Sequence, residues 1–145
     1  MSAVVPPEPT GVCPGCGSVL VTTDDVPLHP GASASCALLF GTTLGAVRDE
    51  APADPSAAAV LALADAAYDA QHPVAGDPAR TESALARLAE ALGVTGVAAG
   101  GPRPPTWRTT MADVAADLDV VDLAVLVEAW ARTVHQDWCD ARIQV

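Results

Sequence analysis

The chain has 145 residues and a formal charge of −11, with half of its residues apolar but only three Trp, one Tyr and one Phe. Its basic residues are all arginine (Arg48, Arg80, Arg87, Arg103, Arg108, Arg132 and Arg142), so no lysine exists for a Schiff base or a phosphate-binding loop. An acidic surface with so few aromatic rings lacks the phosphate contacts and stacking platforms that nucleic-acid binding needs, and it repels anionic membranes.

A chain of this length suits one domain with one core. Ala and Val supply much of the apolar content, and small side chains bury little surface each, so a metal cross-link would add useful stability. No segment approaches the ~18 consecutive apolar residues expected of a membrane span. The opening residues Met1 to Pro7 lack the basic region and apolar core of a signal peptide. The expected compartment is the cytoplasm, where thiols stay reduced and a Cys-x-x-Cys motif favours metal over a disulfide.

Taken in chain order, residues 1–11 are Pro-rich and read as a flexible tail. Cys13-Pro14-Gly15-Cys16-Gly17 follows as a tight knuckle. The run from Gly17 to His29, apolar at Val19-Leu20-Val21 and again at Val26-Pro27-Leu28, predicts a short irregular hairpin that returns His29 to the knuckle. Ser33 or Ser35 can cap a helix starting at Cys36, with Phe40, Leu44 and Val47 on its stripe. Asp54-Pro55 opens an Ala-rich helix to about Gln71, stopped by Pro73. Asp77-Pro78 opens another, with Leu85, Leu88 and Leu92 buried and Gly93 at its end.

Residues 94–108 are Gly- and Pro-rich and read as a loop. Thr110 and Asp113 resemble a capping box for a short helix through Leu118. Asp122 caps the longest helix, whose face carries Leu123, Leu126, Val127, Trp130, Val134 and Trp138. The expected fold is mainly α: a zinc knuckle and short hairpin packed on a bundle of about five helices. Residues 12–145 form one zinc-anchored domain in this reading, with the knuckle over 12–36 and the helices over 36–145.

Three cysteines and a histidine carry the main chemical signal. Cys13, Cys16, His29 and Cys36 are spaced Cys-x2-Cys-x12-His-x6-Cys, a set that could close a tetrahedron around a structural Zn2+. Cys36 would lie at a helix N-terminus, where the partial positive charge favours a thiolate. A redox Cys-x-x-Cys would follow a buried strand and open a helix, which Pro14-Gly15-Cys16-Gly17 does poorly. His135 and Cys139 lie four apart on the last helix, so both could face one ion beside the knuckle thiolates. The competing account is a surface His and a half-buried Cys.

The segment Tyr68-Asp69-Ala70-Gln71-His72-Pro73 is polar for so apolar a chain. His72 has three readings: a helix C-cap, a metal ligand replacing or joining His29, or an acid/base alongside Tyr68 and Asp69. Buried polar groups need partners, so His72 is expected beside the knuckle, in one polar pocket with Tyr68, without being one of the four ligands.

The pattern Cys13-Pro14-x-Cys16-Gly17, His29, Gly31-Ala32-Ser33-x-x-Cys36, Phe40-Gly41 and Tyr68-x-x-Gln71-His72-Pro73 resembles a family of small uncharacterised bacterial proteins common in actinobacteria, catalogued as a domain of unknown function. The likeness continues through Trp107, Thr110 to Val114 and the Trp130–Trp138 helix. It implies a compact helical domain with metal ligands at Cys13, Cys16, His29 and Cys36 and a shared polar site at His72. This chain departs from the pattern at Ala37, where an aromatic is usual, and at Cys139-Asp140-Ala141-Arg142, where histidines are expected. An enzymatic role therefore does not follow from the resemblance.

Two functions compete, with a thiol-based redox or metal sensor using labile zinc as a third reading. One is a zinc-stabilised adaptor or regulatory protein, whose partner is a protein or a small molecule. The other is a small metal-dependent enzyme or pathway accessory protein, which would need an open coordination position and an acid/base from Tyr68, Asp69 or His72. No Ser nucleophile elbow, Gly-rich phosphate loop or His-Glu-x-x-His motif is present.

Overall fold

The computed structural model describes residues 8–97 and 101–143. Its elements are strands β1 (Thr10–Val12) and β2 (Val19–Val21), then helices α1 (Ala34–Thr43), α2 (Gly45–Glu50), α3 (Pro55–Gln71), α4 (Pro78–Leu92), α5 (Met111–Ala116) and α6 (Leu123–Ile143). The architecture is mainly helical, with one small antiparallel hairpin at the N-terminal end. Among the described residues no helix is long and apolar enough to cross a membrane.

The hairpin differs in position from the one the sequence predicts. Its strands flank the knuckle instead of following it, with Thr10 opposite Val21, Gly11 opposite Leu20 and Val12 opposite Val19. The knuckle is therefore the hairpin's own turn. Gly17 takes a positive φ of 78° there, which glycine adopts without a Cβ penalty. Gly17 N–H donates to Cys13 O and Cys13 N–H donates to Ser18 O, both at 2.9 Å. Thr10 and Gly11, in the expected tail, thus become ladder residues. The stretch from Thr22 to Leu28 forms no strand: Pro27 has no N–H for a ladder, and Thr23 and Asp25 bond locally instead.

The helix starts follow side-chain chemistry. Ser33 Oγ accepts from Cys36 N–H at 3.2 Å, Asp54 from Ser56 N–H at 2.9 Å and Asp77 from Arg80 N–H at 3.2 Å. Pro55 and Pro78 occupy the first turns, where a missing N–H costs nothing. Thr110 and Asp113 form the capping box, and α4 ends at Gly93 in the left-handed region, φ 67°. One expected helix is divided. The stripe from Cys36 to Val47 breaks at Leu44 (φ −93°, ψ 2°) into α1 and α2. Gly41, Thr42 and Thr43 precede the break, and all three are weak helix formers.

Helix α3 is the centre of the molecule, packed against α2, α4 and α6. Its buried face is Ala64, Ala66, Ala67 and Ala70, short side chains that admit the large ones opposite. Leu85 and Leu88 of α4 and Val127, Trp130, Val134 and Trp138 of α6 fill that space. Both α6 indoles also find hydrogen-bond acceptors at the end of α3. Trp138 Nε1 donates to Ala70 O at 3.0 Å, and Trp130 Nε1 to Gln71 Oε1 at 3.1 Å. Gln71 Nε2 passes the chain on to Thr109 O at 2.7 Å. Trp107 differs, since its Nε1 donates to Gly15 O, which Arg103 also serves.

These indoles predict unequal costs. Trp130→Phe leaves the buried Gln71 carbonyl without its donor, which costs about 1–3 kcal/mol beyond lost packing. Trp107→Phe leaves Gly15 O still bonded to Arg103. Chemical denaturation of the two variants is expected to show the larger loss for Trp130→Phe; equal losses would contradict this account of Gln71.

Candidate metal centre

Three elements deliver four ligand-type atoms to one place. The hairpin turn brings Cys13 and Cys16, the first turn of α1 brings Cys36, and the C-terminal end of α3 brings His72. Their ligand atoms all lie within 4.8 Å of one another. All four residues are buried, Cys36 and His72 completely. Cys16 Sγ is 3.8 Å from Cys36 Sγ, and Cys36 Sγ is 3.4 Å from His72 Nε2. None of the chain's cysteines is in a disulfide.

The surroundings orient this group. His72 Nδ1 lies 2.7 Å from Tyr68 O, so Nδ1–H donates to that carbonyl and Nε2 keeps its lone pair towards the sulphurs. Such an outer hydrogen bond is the usual means of fixing a ligand imidazole's tautomer. Tyr68 also donates its hydroxyl to Cys36 Sγ at 3.3 Å, and Ser33 N–H donates to Cys13 Sγ at 3.4 Å. Burial, and then the hydrogen bond to Cys36, keep the Tyr68 hydroxyl protonated well above the usual phenol range.

The sulphurs do not share charge equally. Hydrogen bonds from Cys16 and Cys36 hold Cys13 well below the ordinary thiol value, while the same contacts and burial push Cys36 well above it. Burial opposes a charged His72, yet bonding to Cys13 and Cys16 outweighs it and raises the imidazole to about 9. The three sulphurs and the His72 imidazole are buried together, each placed by its hydrogen-bond partners.

His29, the fourth ligand expected from the spacing, is outside this group. Its Nε2–H donates to Asp69 Oδ1 at 2.6 Å, and its Nδ1 accepts from Gly31 N–H at 3.0 Å. Both ring nitrogens are thus occupied, and the ring stands in an outer layer, 5.8 Å from that of His72. His72 is both the C-cap residue of α3 and the fourth member of the cluster, in one pocket with Tyr68, whose ring centroid is 4.0 Å away. Cys139 and His135 are not part of it. His135 Nε2 bonds Thr95 O, and Cys139 is half-buried with its Sγ 3.8 Å from His135 Nδ1.

Two glycines carry a signal that ligand spacing misses. A Cβ on Gly15 would come within 2.9 Å of His72 Cα and 2.7 Å of Gly31 O, and one on Gly31 would collide with the His72 carbonyl. Both positions are stripped of a side chain so that the end of α3 can close on the knuckle.

Asp69 forms the other notable cluster. It accepts from His29 and Arg80 (3.1 Å) through Oδ1 and from Arg87 (3.2 Å) through Oδ2. Partial burial favours the neutral acid, but these three donors prevail and lower its pKa to about 2.

The fold and site define a small helical protein organised around a buried group of three cysteines and one histidine that could hold a metal ion. The chain belongs to the Family of unknown function (DUF5946), whose model matches residues 11–100. That span covers the hairpin from Gly11 on, α1 to α4 and every residue of both clusters. No curated protein and no solved structure matches the chain.

The Asp69 cluster predicts an acid-dependent contribution. A carboxyl lowered from 3.8 to about 2 contributes on the order of 2 kcal/mol. The contribution is complete above the unfolded value near pH 4 and disappears as the pH falls through about 2. Urea melts of wild type and Asp69→Asn are expected to differ most at neutral pH and to converge between pH 4 and 2. A gap that stays constant over that window would contradict the ion pairs.

Proposed function

We propose that this protein binds one structural Zn2+ through Cys13, Cys16, Cys36 and His72 and acts as a zinc-stabilised adaptor or regulatory protein. The observation that carries this reading is the closed, buried Cys3His group. Zn–S bonds of about 2.3 Å place tetrahedral sulphurs about 3.8 Å apart, and the Cys16–Cys36 separation of 3.8 Å supports that fit. A Zn–N bond of about 2.0–2.1 Å implies roughly 3.5 Å between sulphur and nitrogen, against 3.4 Å for Cys36 and His72.

Thiolate-rich donor sets suit zinc over harder ions such as Mg2+. Three thiolates would leave the centre with a net charge of about −1, and four protein ligands fill the tetrahedron. Such an ion is a poor Lewis acid with no position for water or substrate. Its role is to tie the hairpin and α1 to α3. Four free cysteines suit a reducing compartment, the cytoplasm.

The enzyme alternative has less support. Tyr68 and His72 are each committed to the cluster, and Asp69 is bonded to three donors. None is left as an unengaged acid or base.

Metal analysis of protein purified under reducing conditions is expected to give about one zinc per chain; a metal-free, fully folded protein would defeat the reading. Structural zinc contributes ~10–16 kcal/mol of apparent binding energy in small peptides. With a helical core sharing the task the loss is smaller here. Cys36→Ser should still lower the thermal midpoint far more than Cys139→Ser.

A second expectation separates the two histidines. His72→Ala should speed zinc loss to a chelator by at least about tenfold through removal of a ligand. His29→Ala should retain the ion with only a modest change. The reverse order would return His29 to the ligand set.

A further inference from the structure

Beside the metal group, on the outer side of Tyr68, lies a cavity of about 420 Å³ between α1, α3 and α4. Its size falls within the range of about 300–1,000 Å³ typical of small-molecule sites. One wall is apolar: Phe40 is stacked on Tyr68, with ring centroids 4.1 Å apart, and Ala37 and Leu28 continue it. The opposite wall carries Arg80 and Arg87, seven residues apart on one face of α4. The seven basic residues of this acidic protein are scarce, so two lining one cavity is a departure from its composition.

We propose that this cavity binds a small monocarboxylate with an apolar body, its carboxylate taken by Arg80 and Arg87 and its body by the Phe40 wall.

The argument rests on donors and on charge. Each guanidinium carries five N–H donors, and each gives one hydrogen bond to Asp69, at 3.1 and 3.2 Å. Among the described residues no other side chain accepts from either. Asp69 is therefore a positioning residue, holding two forks side by side through its two oxygens. It is itself braced by His29, whose Nδ1 accepts from Gly31 N–H while Nε2–H donates. Serving both contacts requires the neutral imidazole.

The charges of this wall sum to (+1) + (+1) + (−1) = +1 for Arg80, Arg87 and Asp69. Asp65, also on the lining, is neutralised by Arg48 at 2.8 Å. A single negative charge completes the set, whereas a dianion such as phosphate would leave a surplus on a protein already at −11. Planar, bidentate recognition of carboxylate is what paired arginine forks do well. The stacked rings and Ala37 offer the bound molecule an apolar surface and no hydrogen-bond acceptor of their own beyond the tyrosine hydroxyl, which is committed to Cys36.

Calorimetric titration of the metal-loaded full chain tests the site, with benzoate and hexanoate as probes, benzamide as the uncharged counterpart, and inorganic phosphate as the competing anion. At least one of the carboxylates is expected to bind at about millimolar concentration or better, with benzamide and phosphate failing to bind. Arg87→Gln and, separately, Arg80→Gln should each weaken binding by about tenfold or more while zinc content stays at the wild-type level. Arg132→Gln, on the exposed face of α6 and paired to Glu128, should leave binding unchanged. The proposal is overturned if neither carboxylate binds at roughly ten times that concentration, if benzamide binds equally well, if phosphate is preferred, or if both cavity variants bind like wild type with their zinc intact. Because zinc content is read on the same samples, loss of the metal centre and absence of the ligand site give different results.

Discussion

The structure depends on the closure of the end of α3 onto the Cys13–Gly17 turn. The hairpin is a two-stranded ribbon of three-residue strands, and an isolated two-stranded hairpin is at best marginally stable in water. Its outer faces expose Val12, Val19 and Val21, so little hydrophobic burial holds it. What fixes it is a polar contact: Cys13 and Cys16 meet Cys36 and His72 in one buried group. His72 is well suited to be the fixed point, because α3 is itself held by the alanine-lined core. The indole bonds of Trp130 and Trp138 reach Gln71 and Ala70, one and two residues before the imidazole. Rigidity passes from the core through the last turn of α3 to His72, and from His72 to the hairpin.

Much of the local architecture was legible because its causes are local. Asp54-Pro55, Asp77-Pro78, Gly93 and the Thr110–Asp113 pair each act within a few residues, and each marks the expected helix end. Cys13 and Cys16 were legible for a related reason, since two thiols three positions apart with Gly15 and Gly17 beside the second mark a tight turn, and Cys36 was legible from its place at a capped helix start. The strand pairing was less so. Val19-Leu20-Val21 reads as a strand, but its partner, Thr10-Gly11-Val12, has no strong β pattern and is set by the turn between them. Leu44, where α1 and α2 separate, looks like one more member of an apolar stripe.

The fourth cluster residue was the hardest to assign, for a physical reason. His29 lies nearer the cysteines in sequence, but membership of the cluster is decided by where the nitrogen stands. His72 is 36 residues from Cys36 and reaches it only once α3 has packed. In the segment Tyr68-x-x-Gln71-His72-Pro73 each named residue has a separate duty: Tyr68 bonds Cys36 and orients His72, Gln71 links Trp130 to Thr109, and Pro73 follows the C-cap. Gly15 and Gly31, whose missing Cβ atoms make room for His72, encode the contact from the opposite side. Together they point to His72 more firmly than spacing points to His29, but only a reader who already knows that the two segments meet can use them.

The displacement of His29 to an outer layer has its own consequence for how the molecule is organised. With His72 inside, His29 becomes the link between layers: its ring stands edge-on to Tyr68, 5.3 Å between centroids, while its Nε2–H braces Asp69. The inner layer is buried and ties the hairpin to the end of α3. The outer layer keeps the guanidinium donors and the open cavity. Tyr68 belongs to both, with its hydroxyl on Cys36 and its ring against Phe40. The buried Cys3His group and the cavity are therefore adjacent layers that share one aromatic wall, so whatever fixes the inner group also fixes the Phe40–Tyr68 face of the cavity.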